Sequence, residues 1–143
     1  MPSDKGLFRQ SVLCRQFSGH LDLGQLITKK LGQITGPDFL QTVDYRYNIR
    51  GWLQKINQAD IPGSGNDLFG EELYYQQSPG SGLTIVPQYN GNISAMVWQG
   101  TKKAGKKAFS YAYDDLNRIS GARFYENGSG SWQNQDQKYS ETG

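Results

Sequence analysis

Tyr111-Ala112-Tyr113-Asp114-Asp115-Leu116-Asn117-Arg118-Ile119 holds the pattern on which the fold turns, aromatic-x-aromatic-Asx-x-x-Gly/Asn-x-aliphatic. Tyr45-Arg46-Tyr47-Asn48-Ile49-Arg50-Gly51-Trp52-Leu53 aligns with it without a gap. Each residue type has a physical job. Tyr45 and Tyr47, like Tyr111 and Tyr113, are two apart, so in a strand both rings lie on one face and stack on a neighbouring hairpin. Asn48 and Asp114 offer a short side-chain acceptor to a backbone N–H two residues on, which starts a turn. Gly51 and Asn117 stand three residues later, where a type I turn closing a hairpin needs a left-handed backbone. Leu53 and Ile119 then begin the return strand.

Working outward, a weaker copy runs His20-Leu21-Asp22-Leu23-Gly24-Gln25-Leu26-Ile27, and a shortened one is Tyr89-Asn90-Gly91-Asn92-Ile93. The turn positions 24, 51, 91 and 117 are separated by 27, 40 and 26 residues, so the middle interval carries an insertion, placed at about 58–82. Gly36-Pro37, Pro62 to Asp67, Ser78 to Gly82 and Asn127 to Ser131 read as surface loops. Leu83–Gln88, Ile93–Trp98, Lys107–Tyr113 and Ile119–Tyr125 read as strands. Asp67–Gln76 is the one helix candidate, set against extended structure because Gly70 interrupts it. Residues 1–20 have no period and read as an irregular lead-in to a hairpin segment over 21–143. The expected fold is all-β: consecutive antiparallel hairpins forming one curved sheet.

Composition agrees. The 143 residues suffice for one domain, and 18 Gly with 18 aromatic residues at a mean hydropathy of −0.69 specify turns and half-buried strands. Such a polar, glycine-rich chain could also be disordered, but disorder does not require rings at fixed distances from turn residues. A net charge of +2 names no polyanionic partner, so nucleic acid is not expected. One Cys and one His exclude a disulfide framework and any metal centre needing two imidazoles. No run approaches the ~18 apolar residues of a membrane span, and the first residues lack the apolar core of a signal peptide.

Candidate chemistry is thin. Gly100-Thr101-Lys102-Lys103-Ala104-Gly105-Lys106-Lys107 fits part of a phosphate-binding loop, but Lys107 stands where a Ser/Thr must ligate magnesium, and a strand pattern follows instead of a helix. Glu71-Glu72 would point to opposite faces of a strand, and Asp114 already has a turn role. His20 aligns with the Tyr47 and Tyr113 position, and no Gly-x-Ser-x-Gly elbow accompanies it. Cys14 lacks any local signature of a nucleophile. No enzyme, metal or cofactor is expected. The rival to a structural role is a carbohydrate-binding β module using exposed Trp and Tyr, with Trp98 and Trp132, both outside the repeated motif, as the candidates for stacking a ligand.

The Tyr111–Ile119 stretch resembles a YD repeat of the RHS (rearrangement hotspot) family, whose motif is roughly Y-x-Y-D-x-x-G-R-L. Val43–Asn57, Asn66–Tyr75 and Tyr89–Trp98 are also similar to stretches of large bacterial RHS proteins, and the resemblance covers about residues 20–143. It departs at Asn117 for Gly, Asn48 for Asp and Trp52 for Arg. Tyr45, Tyr47, Asn48, Gly51, Leu53, Tyr89, Asn90, Gly91, Tyr111, Tyr113, Asp114, Asn117 and Arg118 are the structural motif positions. The resemblance implies a fragment of a larger repeat protein, secreted or at the cell surface, whose hairpins join into a shell around a C-terminal toxin or other partner domain. Its partners would be neighbouring RHS repeats and that enclosed domain.

Overall fold

The computed structural model describes residues 17–20, 24–33, 39–58, 67–100, 105–128 and 130–136. It contains β1 (Phe17–His20), β2 (Leu26–Gln33), β3 (Phe39–Tyr47), β4 (Leu53–Ile56), β5 (Gly70–Tyr74), β6 (Ala95–Gln99), β7 (Lys107–Tyr113), β8 (Ile119–Gly128) and β9 (Ser131–Asn134). They lie side by side in chain order, each antiparallel to the next, in one open curved sheet. The expected all-β meander is the observed one.

Three of the hairpins are built to one plan. His20 pairs with Leu26, Tyr47 with Leu53 and Tyr113 with Ile119, each six residues apart, and each ladder has a bulge just before that pair. A bulge adds one residue to one strand and sharpens its twist, so repeating it at one position bends successive hairpins alike. In the second hairpin Asn48 Oδ1 accepts from the N–H groups of Arg50 and Trp52, both at 2.9 Å. In the third, Asp114 Oδ1 accepts from those of Leu116 and Arg118, also at 2.9 Å. The left-handed residues follow where the pattern requires them: φ is 78° at Gly51 and 61° at Asn117.

Other boundaries shift. The last four residues of the expected lead-in form β1. Residues 67–76 are not helical: β5 lies inside the stretch read as an insertion, paired with β4 and β6. The Ile93–Trp98 strand starts later, at Ala95, and β8 runs on past Tyr125 to Gly128. Cys14 and residues 21–23, 34–38, 59–66, 101–104, 129 and 137–143 lie outside the described residues, and with them Gly36-Pro37 and most of the lysine-rich loop.

Leu83–Gln88 is not a strand of the sheet. Pro87 has no N–H to give a ladder, and the apolar side chains of this run find a better place. Leu83 is buried with Ala95, Val97, Ala108, Tyr125 and Trp132, and Ile85 packs against that cluster. The segment between β5 and β6 therefore covers one face of β6–β9. Ser94, fully buried, pins both ends of it: its hydroxyl lies within hydrogen-bond distance of the carbonyls of Tyr75 and Val86, and Gln88 N–H donates to the Tyr75 carbonyl at 2.7 Å. At its tip Trp132 N–H donates to the Ser81 carbonyl at 3.1 Å. Gly82 lies so close that a Cβ would sit 2.3 Å from the Trp132 carbonyl oxygen.

Candidate functional site

Two features stand out from the sheet: a row of turns along one end of the strands, and an uncovered aromatic face. The row consists of the four left-handed positions Gly24, Gly51, Gly91 and Asn117, with φ of 78°, 78°, 100° and 61°. Side chains link each turn to the next. Gln25 Nε2 donates to the Gly51 carbonyl at 3.1 Å, and Arg50 Nη1 donates to the Tyr89 carbonyl at 3.1 Å. Asn90 Nδ2 donates to Asn117 Oδ1 at 2.6 Å. Tyr89 itself is exposed and contributes its backbone rather than its ring.

A second set of bonds runs one layer in. Tyr47 donates its hydroxyl to the Leu26 carbonyl at 3.0 Å, Tyr75 to Leu53 at 2.6 Å, and Tyr113 to Ile93 at 2.8 Å. Every acceptor lies two residues after a left-handed turn position, so each unit is tied to the one before by the same atom pair. Tyr47 and Tyr113 are motif tyrosines. Tyr75 is missed by the motif because no Asx turn follows it, although its distance of 22 residues from Leu53 matches the 21 and 20 of the others. Burial raises the phenol pKa of Tyr75 and Tyr113, and the Ile93 bond partly offsets this at Tyr113. Asn57 is another functional part that the motif does not contain. Buried and left-handed at φ 54°, it accepts from Asp44 N–H and donates to the Phe69 carbonyl, both at 2.8 Å, stitching β3 to the start of β5.

Asp114 and Arg118 form a closed pair on the rim, with Nε to Oδ2 at 2.7 Å. The Arg118 backbone N–H above all, then its side chain and the Leu116 N–H, hold the Asp114 carboxyl below its ordinary pKa of 3.8. At the matching position Trp52 replaces the arginine, and Arg50 reaches over its ring from two residues away, 5.1 Å from the centroid.

The two tryptophan candidates separate. Trp132 is 7% exposed, inside the covered cluster, so its ring is core and is closed to a ligand. Trp98 lies on the opposite face, which no segment among the described residues covers. There it stacks on Phe109 at 5.5 Å, Phe109 stacks on Tyr111 at 6.2 Å, and Phe124 tilts against Phe109 at 5.2 Å. Tyr45 shares this face through its pairing with Ile56.

The adjacent glutamates point apart. Glu72 is on the covered side of the sheet, bonded to Lys55 at 2.8 Å and to the Tyr74 hydroxyl at 2.5 Å. Glu71, on the aromatic face, stands between Ile56 and Trp98, and burial alone raises its pKa above 4.5. Lys107 opens a strand and lies 3.9 Å from Glu126. A half-open groove of about 380 Å³ lies beside Ile85, floored by Ser110, Ala112 and Gly121 and flanked by Arg123 and Asp136. Among the described residues no three His, Cys, Asp or Glu side chains cluster as a metal site, and no helix is long and apolar enough to cross a membrane. Compared with models of protein families, with curated proteins and with solved structures, the chain matches none.

Proposed function

We propose that this chain is a length of wall: an RHS-like, YD-repeat segment of a β-shell that encloses or presents a partner or toxin domain, as part of a secreted or surface protein. The reading is supported above all by the turn row, in which a left-handed position recurs at four turns and the same bulge and the same tyrosine-to-carbonyl bond each recur three times. Units that bond mainly to their immediate neighbours extend by addition, which is what a wall requires. Its work is then containment, with neighbouring repeats at its two end strands and the partner against one face. No reaction chemistry enters the reading.

End strands carry unpaired backbone groups, which favour pairing with another chain. Sedimentation across a concentration series should therefore show the isolated chain associating, and Asn134→Pro, which removes a β9 N–H that points away from β8, should weaken that association. A chain that stays monomeric throughout, and that binds a glycan saturably unless Trp98 is replaced by Ala, would overturn the wall in favour of a sugar-binding module.

A further inference from the structure

Glu71 is the anomaly of the aromatic face. The register places Ile56 on one side of it and Trp98 on the other, and Leu73 two residues along the same face of β5. Its immediate neighbours are thus all apolar. Among the described residues no hydrogen bond or ion pair reaches its carboxylate, whereas the next residue, Glu72, is matched by Lys55 on the other face. The nearest cation in the same row is Lys107, beyond Trp98, and it lies beside Glu126. The charge of Glu71 also raises the pKa of Tyr111, behind the burial of that ring and the influence of Tyr113. A carboxylate half-withdrawn from water without a counter-charge is costly, and it attracts whatever cation can reach it.

The surroundings select the kind of cation. The ring centroids of Trp98, Phe109 and Tyr111 follow one another along this side of the sheet at 5.5 and 6.2 Å, and aromatic rings attract cations. A guanidinium fits both demands: it is planar, weakly hydrated, stacks on rings and meets a carboxylate with two parallel N–H groups. An ammonium is a compact, strongly hydrated point charge and gains less from a flat platform. The chain makes such a contact elsewhere, with Arg50 over Trp52 at 5.1 Å.

We propose that the uncovered face is a docking surface for an arginine-bearing segment of a partner, with the guanidinium stacked on Trp98 and bonded to Glu71. This deepens the wall reading, on which it rests, by giving the chemistry of what faces the wall. Trp98 and Glu71 are the recognition residues, and Phe109, Phe124 and Tyr111 extend the platform for the flanking peptide.

The test follows the tryptophan indole resonances of the full chain by NMR, with Trp98 assigned through Trp98→Phe. The probes are a blocked five-residue glycine peptide carrying a central arginine and the same peptide with citrulline, a neutral isostere. The Trp98 resonance should shift saturably with the arginine peptide, at least about tenfold more weakly with citrulline, and about tenfold more weakly in Glu71→Gln. Glu72→Gln, which alters the other face, should leave the affinity unchanged. Equal binding of both peptides, an unaffected Glu71→Gln, or no saturable shift at ~20 mM arginine peptide would overturn the proposal. A neutral oligosaccharide that moves Trp98 where the arginine peptide does not would assign the face to a sugar. Edge association of the same samples reports on the wall separately, so either idea can fail while the other stands.

Discussion

The strands β2–β4 and the strands β6–β9 belong to one sheet and use one turn rule, yet they are stabilised in different ways. Along β3 half-buried and exposed residues alternate strictly, with Leu40 left 61% exposed, and in β2–β4 no hydrophobic side chain is fully buried. In β6–β9 the inner positions Ala95, Val97, Ala108, Tyr125 and Trp132 are sealed beneath the segment carrying Leu83 and Ile85. The lesson is that hairpin geometry and core formation are separable here. Turns and tyrosine bonds set the geometry in both halves, while an excursion between β5 and β6 supplies the core in only one.

The largest effect that could break this contrast is at Trp132. Trp132→Ala should cost about 3–5 kcal/mol in urea unfolding, by opening a cavity under the cover. Leu40→Ala in the bare half should stay within about 0.5 kcal/mol. Similar costs at the two sites would mean that the halves share one core after all.

Next in size are the turns, where the halves should behave alike. Gly51→Ala places a side chain on a backbone at φ 78° and should cost about 1–2 kcal/mol, whereas in Asn117→Gly the relief of left-handed strain is offset by loss of the Asn90 and Asn92 bonds to Asn117 Oδ1, so the change should stay within about 0.5 kcal/mol. A harmless Gly51→Ala would show that the left-handed turn is not what fixes the hairpin.

Smaller again are the phenol bonds. Tyr47→Phe, Tyr75→Phe and Tyr113→Phe should each cost about 1 kcal/mol, with Tyr75→Phe the greatest, because it leaves a carbonyl unpaired in the most buried setting. A marked spread in the opposite order would separate the units that the common bond joins.

The finest test is pH. The Asp114 carboxyl has a folded pKa below 3.8, so its contribution is fully present above that value and is lost as pH falls through the folded one. Glu71, raised above 4.5, acts in reverse: its contribution is present below 4.5 and is lost as pH rises through the folded value. Acid unfolding followed by circular dichroism should therefore be less steep below pH 3.8 in Asp114→Asn, while Glu71→Gln should remove a gain in stability on acidification toward pH 4.5.

Much of this was legible in the chain. The positions of Asn48, Gly51, Asp114 and Asn117 foretell their turns because an Asx acceptor and a left-handed residue act over four or five residues, a range that sequence spacing reads directly. The divergence of Glu71 and Glu72 follows from the two-residue period of a strand. Trp98 and Trp132 could not be told apart, since both are lone tryptophans outside the repeated motif and only packing distinguishes them. The role of Leu83–Gln88 was also hidden: its aliphatic residues suit a strand, and nothing local says that they will lie across one.

The amino-acid sequence by itself determined where the polypeptide reverses, which residues bend it and which pairs of rings share a side, because those choices depend on steric limits and bonds within a few residues. Only the tertiary structure decided which side of the sheet is closed, which tryptophan is sealed in and which glutamate has no counter-charge among the described residues. Those outcomes depend on segments distant in the chain competing for the same apolar surface, and that competition is resolved only when the whole molecule packs.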